Sequence, residues 1–427
     1  MDDGLRRQIR DARGKFLAMV ATYSFGVFND NFFKQSALLI AVGADRKELQ
    51  GYVTICFAVP YLLFAAYAGW LADRFSKRRI VIGAKFLELC AMLVGAYAIC
   101  AGNWPLMVGM TGLMGLQSAI FGPSLNGSIP ELYPAAYVTR ANAYLKMVVT
   151  GMILFGVACA GFALDREGTG FAGVPLGYAT AAGVVLLVAA LGVLCSFAVA
   201  RRPAAAPETP FPWAGPWYTL REHARIWKDP LLANVILANA CLWFFGSLFV
   251  LVINPLGQEQ LGCSESRTSG LVVAMLVGIA IGGVAGSRIA KGERWYRVLA
   301  PAAFAIGALM LGMTALPLAP QRAQWPIAFA LLGLTGIAGG MYLIPCESFI
   351  QVRAAPERKG AVIAASNFAV FSGIIISGLT ANALNAALRP TACFGVAGAL
   401  ACMTGLALLV MLPRAARRSP AALARRL

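Results

Sequence analysis

Long apolar runs separated by short polar breaks occupy most of the chain. Crossing a bilayer core as a helix takes about 20 apolar residues. Twelve spans are predicted on that measure, at 16–42, 48–72, 79–101, 104–130, 139–164, 174–199, 231–256, 268–290, 296–317, 325–350, 360–385 and 391–412. The long polar interval, RRPAAAPETPFPWAGPWYTLREHARIWKDP, is rich in Pro and charge. It sets boundaries at 1–200 for a first bundle of six helices, 201–230 for a connector and 231–427 for a second bundle.

The second half repeats the first. Span four opens with Asn103-Trp104-Pro105 and span ten with Gln324-Trp325-Pro326; each reaches a further proline, Pro123 or Pro345, and then another at Pro134 or Pro356. GWLADRFSKRR (69–79) follows span two, and a worn counterpart, GSRIAKGERWYR (286–297), follows span eight. Parallel repeats imply a pseudo-two-fold axis along the membrane normal, with a substrate path between the halves. The strings Gly109, Gly112, Gly115 and Gly278, Gly282, Gly286 are expected to let helices approach closely.

Composition agrees with a polytopic membrane protein: 59% of the 427 residues are hydrophobic and 13% charged, against about 25% charged in soluble domains. The net charge of +17 changes meaning once its positions are considered. On one side of the predicted membrane the loops hold only Arg46, Lys47, Arg166, Arg267, Arg322 and Arg389; the other loop Lys and Arg lie on the side of the N-terminus. Short cytoplasmic loops retain positive charge, so both termini are expected inside, with the first span kept as an uncleaved helix. Topology thus accounts for the charge, and no nucleic-acid partner is expected.

Ten cysteines are scattered singly, without a disulfide or metal-ligand spacing. His223 is the single histidine, which leaves no material for a Ser-His-Asp or di-histidine metal site. An H-x-x-x-x-D acyltransferase motif also fails, because Lys228 stands five places on and Asp229 one too far. The chain is not expected to be an enzyme.

What remains is charge inside the spans. GVFNDNFFKQ (26–35) places Asp30, Asn31 and Lys34 in span one, with Asp30 roughly 20 Å from the helix start at 1.5 Å per residue. Asp30 and Lys34 share a face at i, i+4 and can offset each other. An intramembrane charge costs at least about 2.5–3.5 kcal/mol, which makes function the default reading. Lys85 and Glu88 in span three and Lys146 in span five form a second polar level, with Arg140 and Asn142 at the start of span five. Pro123, Asn126 and Pro130 in span four, with Pro345 and Glu347 in span ten, fit either a helix break lining a polar cavity or a kink needed for rocking. Asp30, Asn31, Lys34, Lys85, Glu88, Asn126, Lys146 and Glu347 are therefore the candidate cargo-binding residues.

The loop Gly69 to Arg79 resembles the G-x-L-A-D-R-x-G-R-R signature of the major facilitator superfamily, with Ser76 at its central glycine. The resemblance implies an all-α membrane fold of 12 helices in two six-helix bundles. It also implies a cytoplasmic latch of Asp73 at a helix start, Arg74 and Arg78 reaching Glu131, and Arg140 nearby. F-N-D-N (28–31), DRFSKRR with IGAKFLEL (73–89) and FGPSLNGSIPEL with R-A-N (121–142) are similar to the lysophospholipid transporter branch. That implies a bacterial inner-membrane flippase returning lysophosphatidylethanolamine or lysophosphatidylglycerol to the inner leaflet by alternating access. A functional link to an acyltransferase or acyl-ACP synthetase follows. The expected protein is monomeric and in contact with membrane lipids; it has no cofactor, with coupling to H+ or Na+ left open. Leu125 and the uncharged WFFGSLFVLVINP (243–255) stand where that branch can carry basic residues. A proton-coupled antiporter of drugs or small metabolites, with Asp30 as the proton carrier, is the alternative. Trp217 to Lys228 reads either as a helix on the membrane surface or as a plain linker.

Overall fold

A computed structural model describes residues 3–204, 206–290, 292, 294–353 and 359–418. Within them run α1 (Asp3–Gly43), α2 (Glu48–Arg74), α3 (Lys77–Cys100), α4 (Trp104–Leu132), α5 (Ala135–Leu164), α6 (Leu176–Ser196), α7 (Gly215–Ile226), α8 (Pro230–Pro255), α9 (Glu265–Ile289), α10 (Leu299–Gly312), α11 (Gln321–Arg353), α12 (Lys359–Ala387) and α13 (Pro390–Arg418). This is an all-α membrane protein. Eleven helices among the described residues are long and apolar enough to cross a bilayer. The 41-residue α1 is the further helix of spanning length, its apolar run broken by Asn29, Asp30, Asn31 and Lys34. The 12-residue α7 lies in the connector.

Helix starts follow local chemistry. The Asn103 side chain accepts the Leu106 N–H at 3.1 Å, with a proline in the first turn. Asp229 does the same for Leu232 at 3.3 Å ahead of Pro230. Each such cap contributes about 1 kcal/mol by satisfying an orphan N–H, and proline at the first position loses no bond. The prolines deeper in the helices do not break them: α4 continues through Pro123 and Pro130, and α11 through Pro345. Of the two readings the sequence allowed, an interruption of either helix is thus removed.

The chain forms two compact units. One comprises the residues up to Ala37 together with Val59–Pro216; the other comprises Leu38–Ala58 and the residues from Trp217 onward. In the first, Phe16, Met19, Val81, Phe121, Leu125 and Ile129 share one buried cluster. In the second, a cluster around Leu232, Val235, Leu299, Tyr342 and Cys346 plays that part. Leu38–Ala58 is joined to the rest of the second unit by polar ties. Lys47 Nζ lies 3.0 Å from Glu259 Oε2, Asn254 Nδ2 donates to Gln50 Oε1 at 3.0 Å, and Gln50 Nε2 donates to the Leu251 carbonyl at 3.3 Å.

Glycine decides how α9 meets α11. A Cβ on Gly278 or Gly282 would run into the backbone of Gly333 or Ile337, and one on Gly286 would lie 2.9 Å from Met341 Cα. Gly336 and Gly340 answer from α11 against the Met275 and Ile279 carbonyls. In the string expected in span four, Gly109 faces open space. Overpacking a backbone seam costs about 1–3 kcal/mol. Gly282→Ala is therefore expected to lower the melting temperature of the purified protein, whereas Gly109→Ala leaves it unchanged or slightly raised; thermal unfolding in detergent reads both.

Candidate functional site

Glu88 is the hub of the polar interior of the first unit. It shares one face of α3 with Lys85, three residues earlier, and their charged atoms lie 2.6 Å apart with each side chain 1% exposed. Two more donors converge on the carboxylate: Gln117 Nε2 from α4 at 3.3 Å and Asn29 Nδ2 from α1 at 3.4 Å. Asn29 also donates to the Val185 carbonyl of α6 at 3.1 Å. The Lys85 ammonium sits 5.4 Å from the centroid of the Phe121 ring. Small residues make the room: a Cβ on Gly26 would be 2.6 Å from Lys85 Nζ, and one on Gly192 3.4 Å away. Lys85 and Glu88, expected to meet a cargo, meet each other.

Asp30 is arranged differently. Ser118 Oγ donates to its Oδ2 at 2.5 Å and lies 3.0 Å from Gln117 Oε1, so a polar chain runs from Glu88 through Gln117 and Ser118 to Asp30. Asp30 Oδ1 is shielded from solvent and has no hydrogen-bond partner among the described residues. A buried acceptor left open is costly.

The other expected residues separate. Asn31 closes a bond within its own helix, Nδ2 to the Val27 carbonyl at 2.8 Å. Lys34 is half-buried one turn beyond Asp30. Lys146 is exposed on α5, as are Asn142 and Arg140. Arg140 Nε donates to the Tyr144 hydroxyl at 3.1 Å, and its guanidinium lies over the Tyr137 and Tyr144 rings. Glu347 is half-buried on α11, in the second unit. The side chain of Asn126 lies outside the described residues, as do Pro356 and Arg358.

The loop from Gly69 to Arg79 corrects the expected latch. Glu131 is paired with Lys77, not with Arg74 or Arg78. Lys77 begins α3, and its direction there carries it to the end of α4, while Arg78, one residue on, is turned about 100° away. Arg78 Nη2 donates to the Phe197 carbonyl at 2.7 Å. Arg74 Nη1 and Trp70 Nε1 both donate to the Thr209 carbonyl, at 2.8 and 3.0 Å. The Asp73 side chain is exposed, while its backbone carbonyl accepts the Ala206 N–H at 2.9 Å. Phe211 packs edge-on to Trp70 with centroids 5.0 Å apart. The motif grips the connector. Sequence reasoning passed over Gln117, Ser118 and Trp70; a Gln-Ser pair in the middle of an apolar span was the signal for the first two.

With this geometry in hand, comparison with known proteins becomes informative. Residues 14–377 match the Major Facilitator Superfamily. The chain belongs to that superfamily. A protein of Pectobacterium carotovorum named lysophospholipid transporter LplT is 27% identical over 358 residues, covering 82% of this chain and 80% of its own. Its namesake in Yersinia pestis is 26% identical over 347 residues, covering 79% and 78%. Among solved structures, a bacterial homologue of the iron transporter ferroportin gives a TM-score of 0.70 at 14% identity, covering 96% of this chain and 99% of that one. A D-xylose-proton symporter gives 0.69 at 16%, covering 94% and 98%. At such identities the solved structures speak to the fold alone. The superfamily assignment makes the chain a multi-pass membrane transporter.

Two outcomes test this geometry. Removing one member of a fully buried ion pair strands its partner and costs about 3–5 kcal/mol, so Glu88→Gln and Lys85→Met each unfold at lower denaturant than wild type. The double variant recovers part of the loss in the same unfolding measurement. Separately, Arg74→Ala with Trp70→Ala releases the segment around Thr209, and limited proteolysis is expected to cut between Arg201 and Trp213 at least tenfold faster.

Proposed function

We propose that this transporter is a flippase for lysophospholipids, lysophosphatidylethanolamine or lysophosphatidylglycerol, in a bacterial inner membrane, working by alternating access. The similarity to proteins named lysophospholipid transporters, extended over about four fifths of both chains, carries the reading. The chemistry of the site supports it. A phosphodiester calls for Lys or Arg, an ethanolamine ammonium for a carboxylate, and a single acyl chain for an apolar wall. Asp30 Oδ1 is the open acceptor for the ammonium or a headgroup hydroxyl. Lys34, on the same face one turn away, and Lys146 and Arg140, exposed on α5, are the cations for the phosphate. The Lys85–Glu88 pair is the neutral floor that holds α1, α3 and α4 in register around Asp30 rather than a direct contact.

The bias of Lys and Arg among the loops supports a cytoplasmic location for both termini. Alternating access then asks the ties of Leu38–Ala58, Lys47 to Glu259 and Gln50 to Asn254, to open and re-form as cargo passes. Monomeric action and delivery to an acyltransferase in the inner leaflet complete the proposal.

The test is uptake of fluorescent lysophosphatidylethanolamine into proteoliposomes or spheroplasts. Asp30→Asn keeps the Ser118 bond and the side-chain shape but loses the charge. It is expected to reduce flipping at least tenfold at unchanged expression, and wild-type rates would remove Asp30 from the site. Transport of a small cationic drug down a proton gradient, with no lysolipid movement, would replace the lipid reading altogether.

A further inference from the structure

Where α2 ends and α3 begins, the first unit forms a half-open cavity of about 600 Å³ lined by Arg74, Ser76, Arg78, Arg79, Arg201 and Arg202. No carboxylate is among its lining residues. We propose that this cavity is a binding site for a phosphate-bearing anion, separate from the cargo site around Asp30.

Four observations converge on it. The connector is folded back so that Arg201 and Arg202 face the α2–α3 loop, through the Ala206 N–H on the Asp73 carbonyl at 2.9 Å and the two hydrogen bonds that Trp70 and Arg74 donate to the Thr209 carbonyl. Two guanidiniums are held in advance, Arg74 by Thr209 and by the Trp70 ring 5.6 Å away, and Arg78 by the Phe197 carbonyl. Arg78 Nε is nonetheless buried with no hydrogen-bond partner among the described residues. Its guanidinium is otherwise half-exposed and bonded to the Phe197 carbonyl, and the open Nε–H is the donor that an anion in the cavity would satisfy. Finally, Ser76 starts α3 without a side-chain cap bond, so the first N–H groups of that helix add their partial positive charge to the same place.

Five guanidiniums around one cavity repel one another, with Arg74 and Arg78 half-buried and Arg79, Arg201 and Arg202 exposed. A doubly coordinated phosphate reverses the sign, because the planar fork of arginine matches two phosphate oxygens. The volume falls in the range of sites for small organic ligands, about 300–1,000 Å³. That admits a lipid headgroup with its phosphodiester or a free polyphosphate. The shared chemistry is the phosphate, and its position at helix ends places it where either source can reach.

The experiment uses the full-length protein in nanodiscs of phosphatidylcholine doped with phosphatidylglycerol, with retained lipid counted by native mass spectrometry after release. Wild type is expected to keep phosphatidylglycerol over phosphatidylcholine. The triple variant Arg78→Gln, Arg201→Gln, Arg202→Gln is expected to lose that preference at least tenfold. It should melt like wild type in pure phosphatidylcholine, which reports that it is folded. A control triple, Arg221→Gln, Arg225→Gln, Lys228→Gln, removes the same charge from α7 and the residues after it, and is expected to keep the preference. Displacement by millimolar pyrophosphate would assign the site to soluble phosphate, and resistance to displacement would assign it to lipid. Equal loss in both triples, or no preference in wild type by either ligand, would overturn the proposal. Failure of lysolipid uptake would leave this result standing, since the readout is binding and not transport.

Discussion

A carboxylate in a water-poor interior must be neutralised and hydrogen-bonded, and the arrangement of the first unit follows from meeting that demand at Glu88. Desolvating two opposite charges is expensive, and close geometry with extra donors is what makes the pair tolerable. Lys85 supplies the charge at 2.6 Å, and Asn29 and Gln117 supply the remaining bonds. These donors come from α1 and α4, so the same contacts that settle Glu88 fix how α1, α3 and α4 are rotated against one another. Asp30 is held by that rotation, because it follows Asn29 on α1 and is reached through Ser118, the neighbour of Gln117. The open oxygen of Asp30 is thus a product of how its neighbours satisfy a different acid.

Length and apolarity made the spans legible in the sequence, since a bilayer leaves few other solutions to a run of 20 or more apolar residues. The α1 helix shows the limit of that criterion: the polar residues that give it chemistry also weaken its signal as a span. Within the site, the sequence marked Asp30, Lys85 and Glu88 as out of place, and all three prove to be in one polar chain. Which charges would neutralise each other was not legible, because Lys85 and Glu88 at i, i+3 and Asp30 and Lys34 at i, i+4 are equally good pairs on a helical wheel. Packing of α4 against α1 and α3 adds what spacing could not show, bringing Gln117 and Ser118, two uncharged residues, between the acids.

The loop after α2 repeats this lesson in another form. Its glycine, acid and basic residues are recognisable as a superfamily signature, yet their partners depend on where α3 starts and on the path of a Pro-rich connector that has no periodicity to read. Moving the first residue of α3 by one position would turn Arg78 into the direction that Lys77 now takes. Trp70 and Arg74 sharing one carbonyl of Thr209 could not be inferred from spacing across more than a hundred residues.

The seam between α9 and α11 has a mechanical consequence. Helices that interlock through large side chains must lift ridges out of grooves to move, but here Gly278, Gly282, Gly336 and Gly340 bring main chain against main chain. Such a surface is smooth along its length, like a rail, and a small shear of one helix past the other meets little steric resistance. At these four positions the spacing of α9 and α11 in the second unit is therefore set by main chain and not by side-chain bulk.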